Sequence, residues 1–424
     1  MKKVYTVSII GCGSRGCGTY GDMMQKCPDM YKVVSLCDIN VAKADRYAEN
    51  YGIDKQNVFY DEQEFFAQKR SDVLVIGTQD RDHVRMCIRA LELGYDVLLE
   101  KPISPVEEEL HALLKANEKY QRKVIVCHVL RYAPAFVKVK ELLDEGTIGK
   151  LVMIQAAENV AFWHQAHSFV RGNWRNDSQT SPMIMQKCCH DLDLLQYYVG
   201  ARCESVYSVG NLSFFKAENK PEGAADRCAE CKYKDTCVYS AEKLYVERWK
   251  KAGEPKNSWP YNVVDFSRPI TEETLRKGYE SGDYGRCVFA CDNNVVDNQN
   301  VSMRFENGVQ ANLTMTAFTY RTGRRMIFYG THGEIELNDI DDMLRISPFG
   351  GEQQVLPISK MITESRNNSF GHGGGDYGML DSLYQALEGN ATAATSLEGS
   401  VESHLIALAA EKSRKQGAPI KIHE

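Results

Sequence analysis

The sequence predicts an α/β chain in two parts: a doubly wound parallel sheet over residues 1–127, then an α+β domain with a mainly antiparallel sheet over residues 128–424. Three observations predict this. Apolar strands alternate with helical segments up to Cys127, the pattern of a parallel sheet with crossover helices. A glycine-rich turn, Gly11-Cys12-Gly13-Ser14-Arg15-Gly16, follows the first strand. Beyond residue 300 strands succeed one another without helices, and Asn307-Gly308 joins two of them as a hairpin signal.

The first strand, 4–10, is an apolar run that ends in G-x-G-x-x-G. Gly11 permits the tight turn, Gly13 lets backbone approach a pyrophosphate, and Gly16 allows close helix–strand packing. The following helix start offers N–H groups to phosphate, and Ser14 and Arg15 share that turn. Residues 31–37 form a second strand ending at Asp38. A carboxylate there accepts from a ribose 2′-OH and repels a 2′-phosphate, which favours NAD over NADP. A helix at 41–51, a short strand at 58–60 and a helix at 62–68 come next. The strand at 72–76 runs into Gly77-Thr78-Gln79-Asp80, and His83 opens the next helix. Thr78 and His83 are expected over the cofactor.

The run Val97-Leu98-Leu99 then stops at Glu100-Lys101-Pro102. Proline has no N–H for a sheet ladder and pushes the residue before it toward an extended conformation. A lysine is thereby fixed at the carboxyl end of a central strand, where open α/β sheets bind ligands. Glu100 and Lys101 are both expected within reach of the cofactor. A helix at 107–120 and a strand at 123–127 complete this part.

In the second part the pattern gives a helix at 133–145, a strand at 151–157, a helix at 187–198 and a strand at 205–215. Strands at 301–305, 310–316, 325–330 and 333–337 follow, then an amphipathic helix at 396–414. Between them, His164, His167, Arg171, Trp174 and Arg175 crowd a segment too rich in functional groups for a plain loop. A polar insertion spans 217–292 and carries Cys228, Cys231, Cys237, Cys287 and Cys291. C-x-x-C-x5-C suits a structural zinc, with Cys287 or, failing it, Cys291 as fourth ligand. An iron–sulfur cluster, a redox pair and free thiols remain open. The spacing of His164 and His167 is weak evidence for a catalytic metal.

Composition excludes several classes. The chain has 424 residues, 43% hydrophobic and 25% charged, with a net charge of −6. That balance argues against a nucleic-acid partner. No apolar stretch approaches a membrane span, and the N-terminal apolar run is too short for a signal peptide. A cytoplasmic protein is expected, whose fourteen cysteines are thiols or metal ligands.

Four features together resemble the Gfo/Idh/MocA oxidoreductases: the glycine turn, Glu100-Lys101-Pro102, Arg131-Tyr132-x-Pro134, and the helix opening with His190 and Asp193. The resemblance covers nearly the whole chain except the cysteine insertion. It implies a Rossmann domain, an open-faced mixed sheet, NAD(H) chemistry on a sugar or polyol hydroxyl, and a dimer or tetramer. Lys101 matches the family lysine that touches substrate and cofactor, and His190 the histidine that takes the carbinol proton. Many members carry Asp four residues before that histidine. Here Gln186 stands there with Lys187 beside it, so Lys187 or Tyr132 is expected to share the acid/base role. His164, His167, Arg171, Trp174, Arg175 and His372, within Gly371–Asp376, are candidate substrate contacts. Besides the dehydrogenase, the resemblance admits an NAD-dependent glycosidase that oxidises the sugar transiently and eliminates the aglycone. A non-catalytic NAD-binding protein is the third class.

Overall fold

A computed structural model describes residues 3–267, 269–364, 371–391 and 393–423. Its first sheet grows outward from β1 (Tyr5–Ile10), which pairs in parallel with both β2 (Tyr31–Cys37) and β4 (Val73–Ile76). With β3 (Val58–Phe59), β5 (Asp96–Leu99) and β6 (Val124–Val126), the order among the described residues is β3-β2-β1-β4-β5-β6. The chain reverses its direction of progress between β1 and β4. The loops leaving those two strands, at Gly11 and Gly77, therefore bound a crevice at the carboxyl edge of the sheet. The loops nearly touch. A Cβ on Gly11, whose φ is +93°, would lie 2.5 Å from the Gly77 carbonyl oxygen. A Cβ on Gly16 would lie 2.0 Å from the Gly11 oxygen. Helices α1 (Val41–Tyr51), α2 (His83–Glu92) and α3 (Glu107–Tyr120) link the strands, and Asn40 caps α1 by accepting from the Lys43 N–H at 3.1 Å. The expected helix at 62–68 shortens to Glu62–Phe65.

After α4 (Pro134–Asp144) the second sheet begins with β7 (Leu151–Ala161) and is followed by α5 (Cys189–Val199). Its other strands are β8 (Cys203–Asn211), β9 (Asn298–Phe305), β10 (Gln310–Thr319), β11 (Gly323–Gly330), β12 (Gly333–Asn338), β13 (Met343–Pro348), β14 (Gln354–Leu356) and β15 (Ile420–Lys421). Their order is β14-β13-β12-β11-β7-β10-β9-β8-β15. All pairings are antiparallel except β7 with β10, so the sheet is mixed. Burial alternates along β9 and β10: Val301, Met303, Leu313 and Met315 are buried, while Asn300, Ser302, Asn312 and Thr314 face solvent. One face is covered and the other is open.

The insertion differs from its reading as a weakly hydrophobic segment. Leu244, Tyr245, Trp249, Val264, Leu275 of α6 (Glu272–Ser281), Tyr279 and Phe289 are buried in one cluster with Trp163, Ala166 and Val170. The insertion therefore carries an apolar core continuous with the 163–170 segment.

Two late helices return to the first sheet. Met379, Leu380 and Leu383 of α7 (Gly375–Glu388) are buried in the same cluster as Val7, Ile9 and Val75. The last helix, α8 (Leu397–Gln416), is not amphipathic. Val401 and Leu405 join the nucleotide-domain core, while Ile406, Ala407 and Ala410 join that of the second domain. A helix wedged between two cores is apolar on more than one face. Leu383→Ala is expected to destabilise the protein by about 2–5 kcal/mol, read by urea titration. A loss below about 1 kcal/mol would show that α7 does not complete this core.

Candidate active site

β5 delivers Lys101 to the crevice. Its ammonium donates to the Gln186 carbonyl oxygen at 3.1 Å, at the end of the one-turn helix Met183–Gln186. The main-chain oxygen of Gln186 thus meets Lys101. Three residues on, α5 opens and carries His190, which lies within range of the Lys101 charge. His190 is buried, and its Nδ1 has no hydrogen-bond partner among the described residues. Burial, then the charges of Lys101, His128 and Arg324, holds its pKa well below the ordinary value. The imidazole is therefore neutral and carries a lone pair.

Charges alternate beside it. Lys187 Nζ lies 2.9 Å from Glu158, Glu158 lies 2.9 Å from Arg324, and Arg324 grips Asp191 through both carboxylate oxygens at 2.8 and 3.2 Å. Glu158 comes from β7 and Arg324 from β11, so the second sheet supplies the middle of the chain. Burial pushes the Asp191 carboxyl up to about 6, against the pull of Arg324. The next acidic residue, Asp193, holds Arg131 bidentately at 2.7 Å on each arm. Two of the four family features are therefore the halves of one buried ion pair. His128 stands edge-on to His190, with ring centroids 5.9 Å apart.

On the nucleotide side, Arg15 donates to Glu100 at 2.7 Å and to Asp376 at 2.8 Å. Tyr20 also donates to Glu100. Burial works against both carboxylates. Arg15 and Lys101 nevertheless hold Glu100 below the usual range, and Arg15 and His372 hold Asp376 well below it. His372 Nδ1 lies 2.9 Å from Asp376, and its ring is 6.1 Å from that of His190. Asp38 accepts from the backbone N–H of Cys12 at 2.7 Å and of Asn40 at 2.8 Å. The residues present fit a dinucleotide. The glycine turn is closed at Gly11 and Gly16, yet at Gly13 nothing lies within 4 Å of an added Cβ. Backbone is thus open where a pyrophosphate has to approach, with Ser14 exposed beside it. His83 is buried between two main-chain oxygens, of Pro102 at 2.8 Å and Thr78 at 3.3 Å, so it ties the two loops together.

The structure disperses the other candidates. His164 stays with the cluster: after burial, Lys187 is the strongest influence holding its pKa down, and Lys101 also contributes. His167 turns toward the insertion, with Nδ1 3.1 Å from the Tyr245 hydroxyl and its ring stacked on Tyr284 at 4.7 Å. Arg171 is buried and spends its guanidinium on the carbonyls of Arg286 (2.7 Å) and Tyr239 (2.8 Å) and on Cys228 Sγ (3.4 Å). Arg175 pairs with Asp292 at 2.8 Å. Trp174 packs near Phe169, its Nε1 buried without a partner among the described residues. Tyr132 meets Thr395 at 3.0 Å. All fourteen cysteines are free. The zinc expectation for Cys228, Cys231, Cys237 and Cys287 finds no support: among the described residues no three His, Cys, Asp or Glu side chains converge as a metal site. Glu158, Asp191 and Arg324 escaped the sequence reading. Only Glu158 left a signal, as the single charge in the apolar run of β7; Asp191 and Arg324 each stand near a second like charge, Asp193 and Arg325, and nothing local marks them.

No helix among the described residues is long and apolar enough to cross a membrane. The chain is 26% identical over 335 residues to the putative oxidoreductase YteT of Bacillus subtilis, a match covering 76% of this chain and 74% of that protein. It is also 26% identical over 212 residues to scyllo-inositol 2-dehydrogenase (NAD(+)) of Bacillus subtilis, covering 48% of this chain and 57% of that protein. The WlbA dehydrogenase of Bordetella pertussis, solved with NADH and UDP-GlcNAcA, superposes with a TM-score of 0.66 at 16% identity and covers 99% of both chains. Two family models account for most of the sequence: the NAD-binding Rossmann fold of the oxidoreductase family over residues 5–128 and its C-terminal alpha/beta domain over residues 140–422. The glycine turn, the lysine at the end of β5 and the mixed sheet beyond it thus have one explanation: the chain belongs to the Gfo/Idh/MocA oxidoreductase family.

Proposed function

We propose that this oxidoreductase is an NAD-dependent dehydrogenase acting on a hydroxyl of a sugar, polyol or glycoside. One observation carries the reading: a neutral, buried His190 with a free ring nitrogen stands next to Lys101, whose ammonium has no carboxylate partner among the described residues. The two form an acceptor and a donor for a single hydroxyl. His190 accepts the carbinol proton as the C–H bond breaks. Lys101 donates to the same oxygen and stabilises its negative charge while the carbonyl forms. NAD, when bound, supplies the hydride acceptor. Gly11, Gly13 and Gly16 would hold its pyrophosphate and Asp38 its adenosine ribose. The inositol dehydrogenase among the relatives and the UDP-sugar acid bound by a structural neighbour support a polyhydroxylated ring as substrate.

Asp191 favours a second reading. With its pKa pushed up to about 6 within the Lys187–Glu158–Arg324 chain, Asp191 is ionised at neutral pH but exchanges a proton close to it, a capacity that simple alcohol oxidation does not use. A glycosidase that oxidises, eliminates the aglycone and re-reduces has work for it. Incubation with NAD and a panel of free sugars, polyols and glycosides separates the two. Accumulating reduced nicotinamide supports the dehydrogenase. Aglycone release without net reduction supports the glycosidase.

Lys101→Ala and His190→Ala are each expected to lower kcat/KM by about 10²–10⁴-fold with the fold intact by circular dichroism. A variant keeping more than about a tenth of the activity would remove that residue from the chemistry. The buried histidines also set an acid limit. His128, His164, His167, His190 and His404 are all held below their ordinary value by burial, His167 and His404 at about 3. Below the ordinary histidine value of 6.5, the unfolded chain therefore binds protons that the folded chain refuses. Stability falls with pH by up to about 1.4 kcal/mol per unit for each histidine. Asp191, Asp193 and Asp339 are raised and oppose this, Asp191 from about pH 6 downward, but they are outnumbered by the histidines. Urea midpoints measured from pH 7 to pH 5 should drop steadily, and a flat profile would contradict this account.

A further inference from the structure

The insertion brings an aromatic wall to the active site that the proposed chemistry leaves unused. Trp259 is 37% exposed. Its ring stands edge-on to His164 at 4.9 Å and lies 5.5 Å from Trp163, which in turn stacks on His164 at 5.6 Å. His164 feels the charges of Lys187 and Lys101. His164 follows the end of β7 by three residues, and β7 carries Glu158, the partner of Lys187; the wall thus adjoins the charged groups of the site and ends at the partly exposed Trp259.

The wall is held in place. Arg248 lies over the Trp163 ring at 3.9 Å, and the Trp249 indole donates to the Pro255 carbonyl at 3.1 Å. Seven residues after Trp259, the Phe266 carbonyl accepts from Arg46 at 3.1 Å and the Phe266 ring carries Lys43 at 4.5 Å. Both cations belong to α1, so the loop is tied to the nucleotide domain. A fixed, half-exposed indole with an imidazole beside it is an amphipathic surface. A pyranose has matching chemistry: one face of C–H groups that packs on an aromatic ring, and hydroxyls at its rim that reach polar neighbours.

Resting on the placement of the reacting ring at Lys101 and His190, we propose that Trp259, Trp163 and His164 form a subsite for a second sugar ring. The substrate is then a glycoside of at least two rings, not a free monosaccharide or cyclitol.

The test is calorimetric binding to the full chain with NAD present. The probes are maltose, cellobiose and lactose against glucose, galactose and myo-inositol, with UDP as a further arm. At least one disaccharide is expected to bind about tenfold or more tightly than its monosaccharides. Trp259→Ala should abolish that preference, and Trp259→Phe should keep most of it. Thermal midpoints of both variants report folding. The proposal is overturned if no disaccharide is preferred, if Trp259→Ala leaves the preference intact, or if UDP binds more tightly than every disaccharide. Reduced nicotinamide is scored on the same samples. Its absence counts against the dehydrogenase reading, whereas the affinity ratio alone decides the subsite.

Discussion

Arg15 is the joint on which the site depends. One guanidinium binds Glu100 at the end of β5 and Asp376 at the start of α7, while its own backbone belongs to the glycine turn. Three stretches far apart in sequence are thereby fixed relative to each other. Both carboxylates stay ionised although burial opposes it. Removing one partner would leave a largely buried charge unmatched, which costs far more than the pair contributes in place. Lys101, next to Glu100, inherits this position. Its own backbone N–H donates to Glu100 Oε2 at 3.0 Å, so the residue that orients Arg15 also orients the lysine.

The same bookkeeping of charge extends to the second domain, where the aspartate that many family members carry is absent. At Gln186 an amide replaces a carboxylate, and Lys101 meets only a carbonyl oxygen there. Negative charge enters from Glu158 and Asp191 instead, each already matched by Lys187 or Arg324. Two cations and two anions in series sum to zero. The chain therefore adds structure without neutralising Lys101. What is left over is one ammonium and one neutral imidazole, the pair on which the proposed reading rests.

Much of this was legible in the sequence because it depends on local rules. The glycine turn, the proline after Lys101 and the Asn-Gly hairpin each act through backbone sterics within a few residues, and the fold follows them. Lys101 was placed at the crevice by a strand-end pattern, whereas His190 was singled out only through the family resemblance, since a histidine at a helix start carries no signal of its own. The long-range pairings were not legible. Nothing near Arg324 in the chain announces Asp191, and Arg171, read as a substrate contact, is drawn into the insertion by the carbonyls of Arg286 and Tyr239. The parallel pairing of β7 with β10 was also hidden, since periodicity specifies a strand's faces and not its neighbour's direction. The last helix misled for a related reason: a helix packed on two domains has no polar face to read.

The insertion shows where composition fails as a guide to stability. Its polar average suggested a metal staple, yet its aromatic and aliphatic residues, scattered among charges in short irregular turns, gather into one core with the 163–170 segment. Averaging over a window dilutes apolar residues that tertiary structure concentrates. That core anchors Trp163 and Tyr245 from within, while Arg46 and Lys43 of α1 hold the loop's outer edge at Phe266. An element bound to the nucleotide domain on one side and to the wall beside His164 on the other cannot shift without moving both. The wall beside His164 is therefore coupled to the nucleotide domain through packing that lies outside Lys101 and His190 themselves.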